Sequence, residues 1–135
     1  MHGVNYVAII VTAVAAFVEG WLWYSPLLFG KAYMRLRGVD PATMAQMKMP
    51  VGKLIAELGR CLVIAYVLAR LVHRLDVVSW RGAVHVGAGL WLGFPATLLV
   101  GSVLWDNVKP KLALIHAGDW LVKLLFMTIL LTVWR

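Results

Sequence analysis

Four long apolar runs, at residues 4–24, 53–72, 82–105 and 112–134, take up most of this chain. Each is close to the roughly 20 residues that an α-helix needs to cross about 30 Å of hydrocarbon. Of the 135 residues, 62% are hydrophobic and 14% charged, against about 25% charged in ordinary soluble domains. So few polar side chains cannot cover that much apolar surface from water. In lipid every backbone amide must be satisfied internally, which leaves helices or a closed barrel, and runs of this length select helices. The pattern predicts an all-α fold, an integral membrane four-helix bundle, as one domain over 1–135 with no length left for a separate soluble unit.

The first run carries Glu19 as its only charge. Ser25-Pro26 should end it, because proline disfavours helical geometry in the residue before it. Trp21, Trp23 and Tyr24 then fall at headgroup depth as an aromatic belt. The run is too long for the h-region of a cleaved signal and lacks a basic n-region, so it reads as a retained span. Residues 27–50 alternate apolar and basic positions and predict an amphipathic interfacial connection. Within it, Asp40-Pro41 reads as a cap opening a short helix with Met44, Met47 and Met49. Thioethers can hold copper(I), but flexible apolar filler is the plainer reading.

In the second run, Arg70 and Arg74 can extend their stems to the interface. Cys61 is the single cysteine, so no internal disulfide forms, and its apolar setting predicts a small buried hydrophobe. Ser79 is a plausible N-cap for the third run, Pro95 predicts a kink within it, and Asp106-Asn107-Val108-Lys109-Pro110 reads as a compact turn. His85 falls near the opposite face from the other ionisable groups and reads as an interfacial histidine.

Small residues recur every four positions in two runs: Ala8, Thr12, Ala16 and Gly20 in the first, and Gly89, Gly93, Thr97 and Gly101 in the third. The stripes superpose at a constant offset of 81 residues. Such spacing lets helix backbones approach closely in lipid. Gly59-Arg60-Cys61-Leu62-Val63 is faintly echoed by Gly118-Asp119-Trp120-Leu121-Val122. Together these predict two parallel-repeat helical hairpins, with a stripe available for a homo-oligomer or a larger membrane complex.

Six ionisable residues interrupt the runs: Glu19, Glu57, Arg60, His116, Asp119 and Lys123. A charge in hydrocarbon is costly unless paired or wetted, so such residues are candidate ligand-binding or assembly positions. At 1.5 Å per residue, Glu19 is about 7 Å from the end of its run, and Arg60 and Asp119 are about 10 Å from the starts of theirs. All three depths are measured from the same face. His116, Asp119 and Lys123 follow at three and four residues and share one helical stripe. The expected pairs are Arg60 with Glu19 or Asp119, and Lys123 with Asp119.

Two function classes follow. A structural or accessory subunit would use the cluster to fix assembly and should show it closed and paired. A small transporter, or a protein that binds a lipid or small molecule, should show a cavity reaching Glu19 and Asp119. No compact motif such as His-Glu-x-x-His is present, so neither a metal nor another cofactor is expected. Ser25, Ser79 and Ser102 lack an evident base, and enzymatic activity is not expected.

The formal charge of +7 does not point to nucleic acid, because the basic residues flank the apolar runs. There they set orientation and attract membrane lipids. Lys31, Arg35, Arg37, Lys48, Lys53, Lys109 and Lys111 on one side outweigh Arg70, Arg74, Arg81 and Arg135 on the other. Positive-inside bias therefore predicts both termini on the non-cytoplasmic side of a bacterial inner membrane.

Asn5-Tyr6 and then Gly20-Trp21-Leu22-Trp23-Tyr24-Ser25-Pro26-Leu27-Leu28-Phe29-Gly30-Lys31 resemble the opening of a family of small bacterial and fungal membrane proteins, DUF1761. Leu92-Gly93-Phe94 with Ala96-Thr97, and Ile115-His116-Ala117-Gly118 with Trp120-Leu121-Val122, are similar to its later segments. The resemblance implies a small multi-span membrane fold and no established activity. It would place an amide and an aromatic residue where this chain has His116 and Asp119.

Overall fold

Local chemistry sets the helix ends in the computed structural model, which describes residues 5–25, 28–38 and 51–134. Asn5 opens α1 (Tyr6–Trp23), its side-chain oxygen accepting a hydrogen bond from the Ala8 amide at 3.1 Å. That satisfies one of the four amides that every helix start leaves without a partner. At the other end Ser25 Oγ donates to the Leu22 carbonyl at 2.7 Å. Pro26, predicted to end this helix, lies outside the described residues, as does the proposed Asp40-Pro41 helix with Met44, Met47 and Met49.

The remaining described elements are α2 (Gly30–Leu36), α3 (Val51–Arg74), α4 (Trp80–Trp91), a π-turn (Leu92–Ala96), α5 (Thr97–Trp105) and α6 (Pro110–Val133). Ser79 caps α4 by accepting from the Gly82 amide at 3.2 Å. Pro110 stands at the start of α6, where its missing amide hydrogen costs nothing. Pro95 lies inside the π-turn, so the expected kink takes the form of a locally widened helix. Thr97 Oγ1 follows it and donates to the Gly93 and Phe94 carbonyls at 2.9 and 3.0 Å. Re-satisfying backbone near a proline in this way keeps the run helical.

Among the described residues three helices, Tyr6–Trp23, Trp80–Trp105 and Pro110–Val133, are long and apolar enough to cross a membrane. α3 has 24 residues, about 36 Å of helix, and so has the length. Its apolar character is diluted by Lys53, Glu57, Arg60, Arg70 and Arg74.

α6 is the centre of the arrangement: it packs against α1, α3 and α4, while α1 and α3 also pack on each other. Asn5, His73 and Trp134 line one small cleft, so the start of α1 and the ends of α3 and α6 meet at one end of the molecule. Ala8, Ala13 and Ala16 of α1, Cys61 and Ala65 of α3, and Met127 of α6 are completely buried. Small side chains at these contacts let the helix axes approach, and Met127 fills the gap they leave.

The two small-residue stripes meet different fates. Ala8, Thr12 and Ala16 are fully buried in the core. Gly89, Gly93 and Gly101 instead face open space within this chain, and Thr97 is exposed. α4 packs through Ala83 and Gly87, which are buried, so the helix is rotated away from the face that the offset of 81 residues predicts. The strongest pairings, α1 with α3 and α4 with α6, do join helices adjacent in sequence, but the repeat is not mirrored in the packing faces. Trp80–Trp105 buries only 6% of its most apolar window, leaving Leu92, Phe94, Leu98 and Leu104 exposed. An apolar surface that extensive marks a face that meets lipid or a partner.

Candidate functional site

The acid of α1 and the charged stripe of α6 meet in the interior. Lys123 Nζ stands 3.4 Å from Asp119 Oδ2 and 3.9 Å from Glu19 Oε1. Asp119 and Lys123 are each 4% exposed. Spacing of four residues on one helix brings acid and ammonium together, and the small-residue face of α1 admits them. Gly20 continues that face: a methyl group there would lie 3.6 Å from Lys123 Nζ, in ordinary contact. The ammonium also sits 5.1 Å from the Trp120 ring centroid, within cation–π range. Two carboxyl groups thus share one ammonium. Asp119 Oδ1 and both Glu19 oxygens are buried with no hydrogen-bond partner among the described residues.

Arg60 does not join this triad, which corrects the expected pairing with Glu19 or Asp119. Its Nη1 lies 2.6 Å from Glu57 Oε1, one helical turn back on α3, with both side chains substantially exposed. The near acid satisfies the guanidinium locally and leaves Asp119 to Lys123. The substitutions Arg60→Gln and Asp119→Asn should therefore act additively on thermal stability in detergent, within about 0.5 kcal/mol, as separated sites do. Arg60→Gln alone should cost no more than about 1 kcal/mol, since exposed pairs contribute little. Strong compensation in the double variant would restore the direct pair.

His116 has a different partner again. Tyr24 Oη and His116 Nδ1 are 2.6 Å apart, and Tyr33 of α2 packs edge-on to both rings, at centroid distances of 4.8 and 5.6 Å. This aromatic group ties α2 to the start of α6. Trp23 also turns inward, its indole donating to the Ile115 carbonyl at 3.0 Å. A Cβ at Gly118 would come within 2.8 Å of the Trp23 ring, so only glycine admits this approach. Of the three predicted belt residues, Trp21 alone is exposed.

Above the triad lies an open cavity of about 790 Å³. Its floor is formed by Asp119 and Lys123, its walls include Phe17, Trp21, Leu54 and Trp120, and Lys31, Lys53 and Arg60 also line it. Glu57 and His116 line it as well. Five of the six predicted cluster residues therefore border one space, and Glu19 lies behind it against Lys123. Tyr24, Tyr33, Trp120, Lys31 and Lys53 were not singled out as site residues from sequence. Their shared signal was position, since all fall within about three helical turns of the same end of the molecule.

Around the cavity Glu57 pairs with Arg60, His116 with Tyr24 and Asp119 with Lys123. Among the described residues no three His, Cys, Asp or Glu side chains converge as a metal site. Cys61 is buried and unbridged, and His85 is exposed, with its Nδ1 2.9 Å from the Arg81 carbonyl oxygen.

Comparison with curated proteins and with solved structures gives no match. The family described as "Protein of unknown function (DUF1761)" matches residues 7–132, which include every residue of the triad and of the cavity wall. The chain belongs to the DUF1761 family.

Proposed function

We propose that this chain is a four-span integral membrane protein that binds a small amphiphile in the cavity above the Glu19–Asp119–Lys123 triad. One observation carries the reading: a space of about 790 Å³ lined by aromatic and aliphatic side chains with a few converging charges. That size and chemistry are typical of small-molecule sites, which run from about 300 to 1,000 Å³. A cluster serving assembly alone would be closed over, whereas here the paired charges form the floor of an open space. The triad itself acts as architecture, holding α1 against α6. α3 completes the four spans, with its charged residues turned to the cavity or to the helix ends. Positive-inside bias then puts the cavity in the cytoplasmic leaflet of a bacterial inner membrane.

The test is native mass spectrometry of the purified chain, with Leu54→Trp as a variant that fills the space. Wild type should retain a bound amphiphile and Leu54→Trp should lose it. Equal retention by both proteins, or none by either, would rule the cavity out as a binding site.

A second reading, a structural or accessory subunit, draws on the exposed face of Trp80–Trp105. A partner helix covering Gly89, Gly93 and Gly101 would make close contact. Substituting isoleucine at Gly93 should then disperse any homo-oligomer or complex seen by size-exclusion chromatography with light scattering. An unchanged mass would remove this reading.

A further inference from the structure

Resting on the cavity reading, we infer that the ligand is an anionic membrane lipid, with its headgroup on Lys31 and Lys53 and its chains against the aromatic wall. The charge balance of the lining selects the sign. Arg60 is matched by Glu57, and Lys123 by Asp119 with Glu19 as a second acid behind it, whereas Lys31 and Lys53 at the cavity edge have no ion pair among the described residues. Both are exposed and both border the cavity, one from α2 and the other from the first turn of α3. Among the described residues the cavity therefore presents two cations without an ion pair at its edge, beside an aromatic and aliphatic wall and a floor whose charges are paired with one another.

The two halves of the site match the two halves of one molecule. A phosphate ion alone would satisfy the lysines and leave Phe17, Trp21, Leu54 and Trp120 uncovered. A neutral or zwitterionic lipid would cover the wall but bring no net negative charge. Position along the bundle agrees: Lys31 and Lys53 lie at helix ends, at headgroup depth, and the wall residues continue inward from them. Lysine ammoniums bind phosphate as point charges without demanding a fixed geometry, which suits a headgroup held at the edge of a membrane.

Competition between phosphatidylglycerol and phosphatidylcholine for the detergent-solubilised full chain, read by native mass spectrometry, tests the assignment. Wild type should retain phosphatidylglycerol in preference, and Lys31→Gln with Lys53→Gln should reduce that preference by about fivefold per lysine. Arg74→Gln with Arg81→Gln removes the same charge at the far end and should leave the preference intact. Equal retention of both lipids by wild type, lost in Leu54→Trp, would overturn the anionic headgroup while keeping the cavity. Retention of neither lipid would overturn both. Binding of inorganic phosphate that the lysine substitutions abolish, with no lipid retained, would replace the lipid by a free anion.

Discussion

Lys123→Met is expected to destabilise the protein by about 3–5 kcal/mol, the range for removing one partner of a buried ion pair. The lysine is the single cation within reach of both Glu19 and Asp119 among the described residues, and methionine nearly preserves its volume. The loss would come from charge: two carboxyl groups would face each other with no ammonium between them. Glu19→Gln should do the reverse. It leaves Asp119 and Lys123 as a one-to-one pair and should change stability by no more than about 1 kcal/mol, in either direction. Adding Asp119→Asn to Lys123→Met should recover part of the loss, because partners in one network do not act additively. Thermal unfolding of the three variants and the wild type in the same detergent checks the ordering. Equal losses for Lys123→Met and Glu19→Gln would mean that side-chain packing, and not the two-to-one charge count, governs this part of the core.

The second large effect is expected at Gly30. A Cβ there would lie 2.5 Å from the Ser25 carbonyl carbon and from the Tyr24 oxygen, and 2.6 Å from the Ser25 oxygen. These are backbone atoms, so no rotamer change can relieve the overlap. The Gly30 amide donates to the Ser25 carbonyl at 2.8 Å and the Phe29 amide to the Trp23 carbonyl at 3.0 Å, bonds that fold α2 back beneath the end of α1. Gly30→Ala should force this turn open at a cost of about 2–3 kcal/mol, in the range of overpacking in a tight site. The functional loss should exceed the thermal one. α2 carries Lys31, Tyr33 and Met34 to the cavity, so its displacement removes part of the lining and one of the two lysines that have no ion pair among the described residues. Ligand retention compared with melting temperature separates the two effects. Retained ligand in a destabilised Gly30→Ala protein would show that α2 does not form part of the site.

Some of this arrangement was legible in the chain and some was not, for reasons that differ residue by residue. Asn5 and Ser79 cap helices through contacts three residues away, and Pro95 distorts its own turn, so local spacing suffices for all three. Lys123 with Asp119 was equally accessible, because four residues on a helix fix the neighbour. The partner of Arg60 was not: Glu57 was as near in sequence, but choosing it over Glu19 or Asp119 requires knowing which way α3 is turned. The same ambiguity left open whether the Gly89, Gly93, Thr97 and Gly101 stripe packs within the chain or faces outward. Its spacing matches that of Ala8, Thr12 and Ala16, yet α4 meets α6 through Ala83 and Gly87. The cavity was invisible for another reason. Trp120, Tyr33 and Leu54 belong to three different elements and carry no motif that marks them as neighbours.

The chain alone determined the helical class, the approximate helix ends and the position of each charge along its helix, because rise per residue and capping depend on residues close together in sequence. Tertiary packing alone decided how each helix is rotated, and with that why Glu19 joins Lys123 while Arg60 does not, which stripe is buried and where a space is left open. Rotation depends on the fit of whole helix surfaces against one another, a many-body choice that no spacing along a single helix contains.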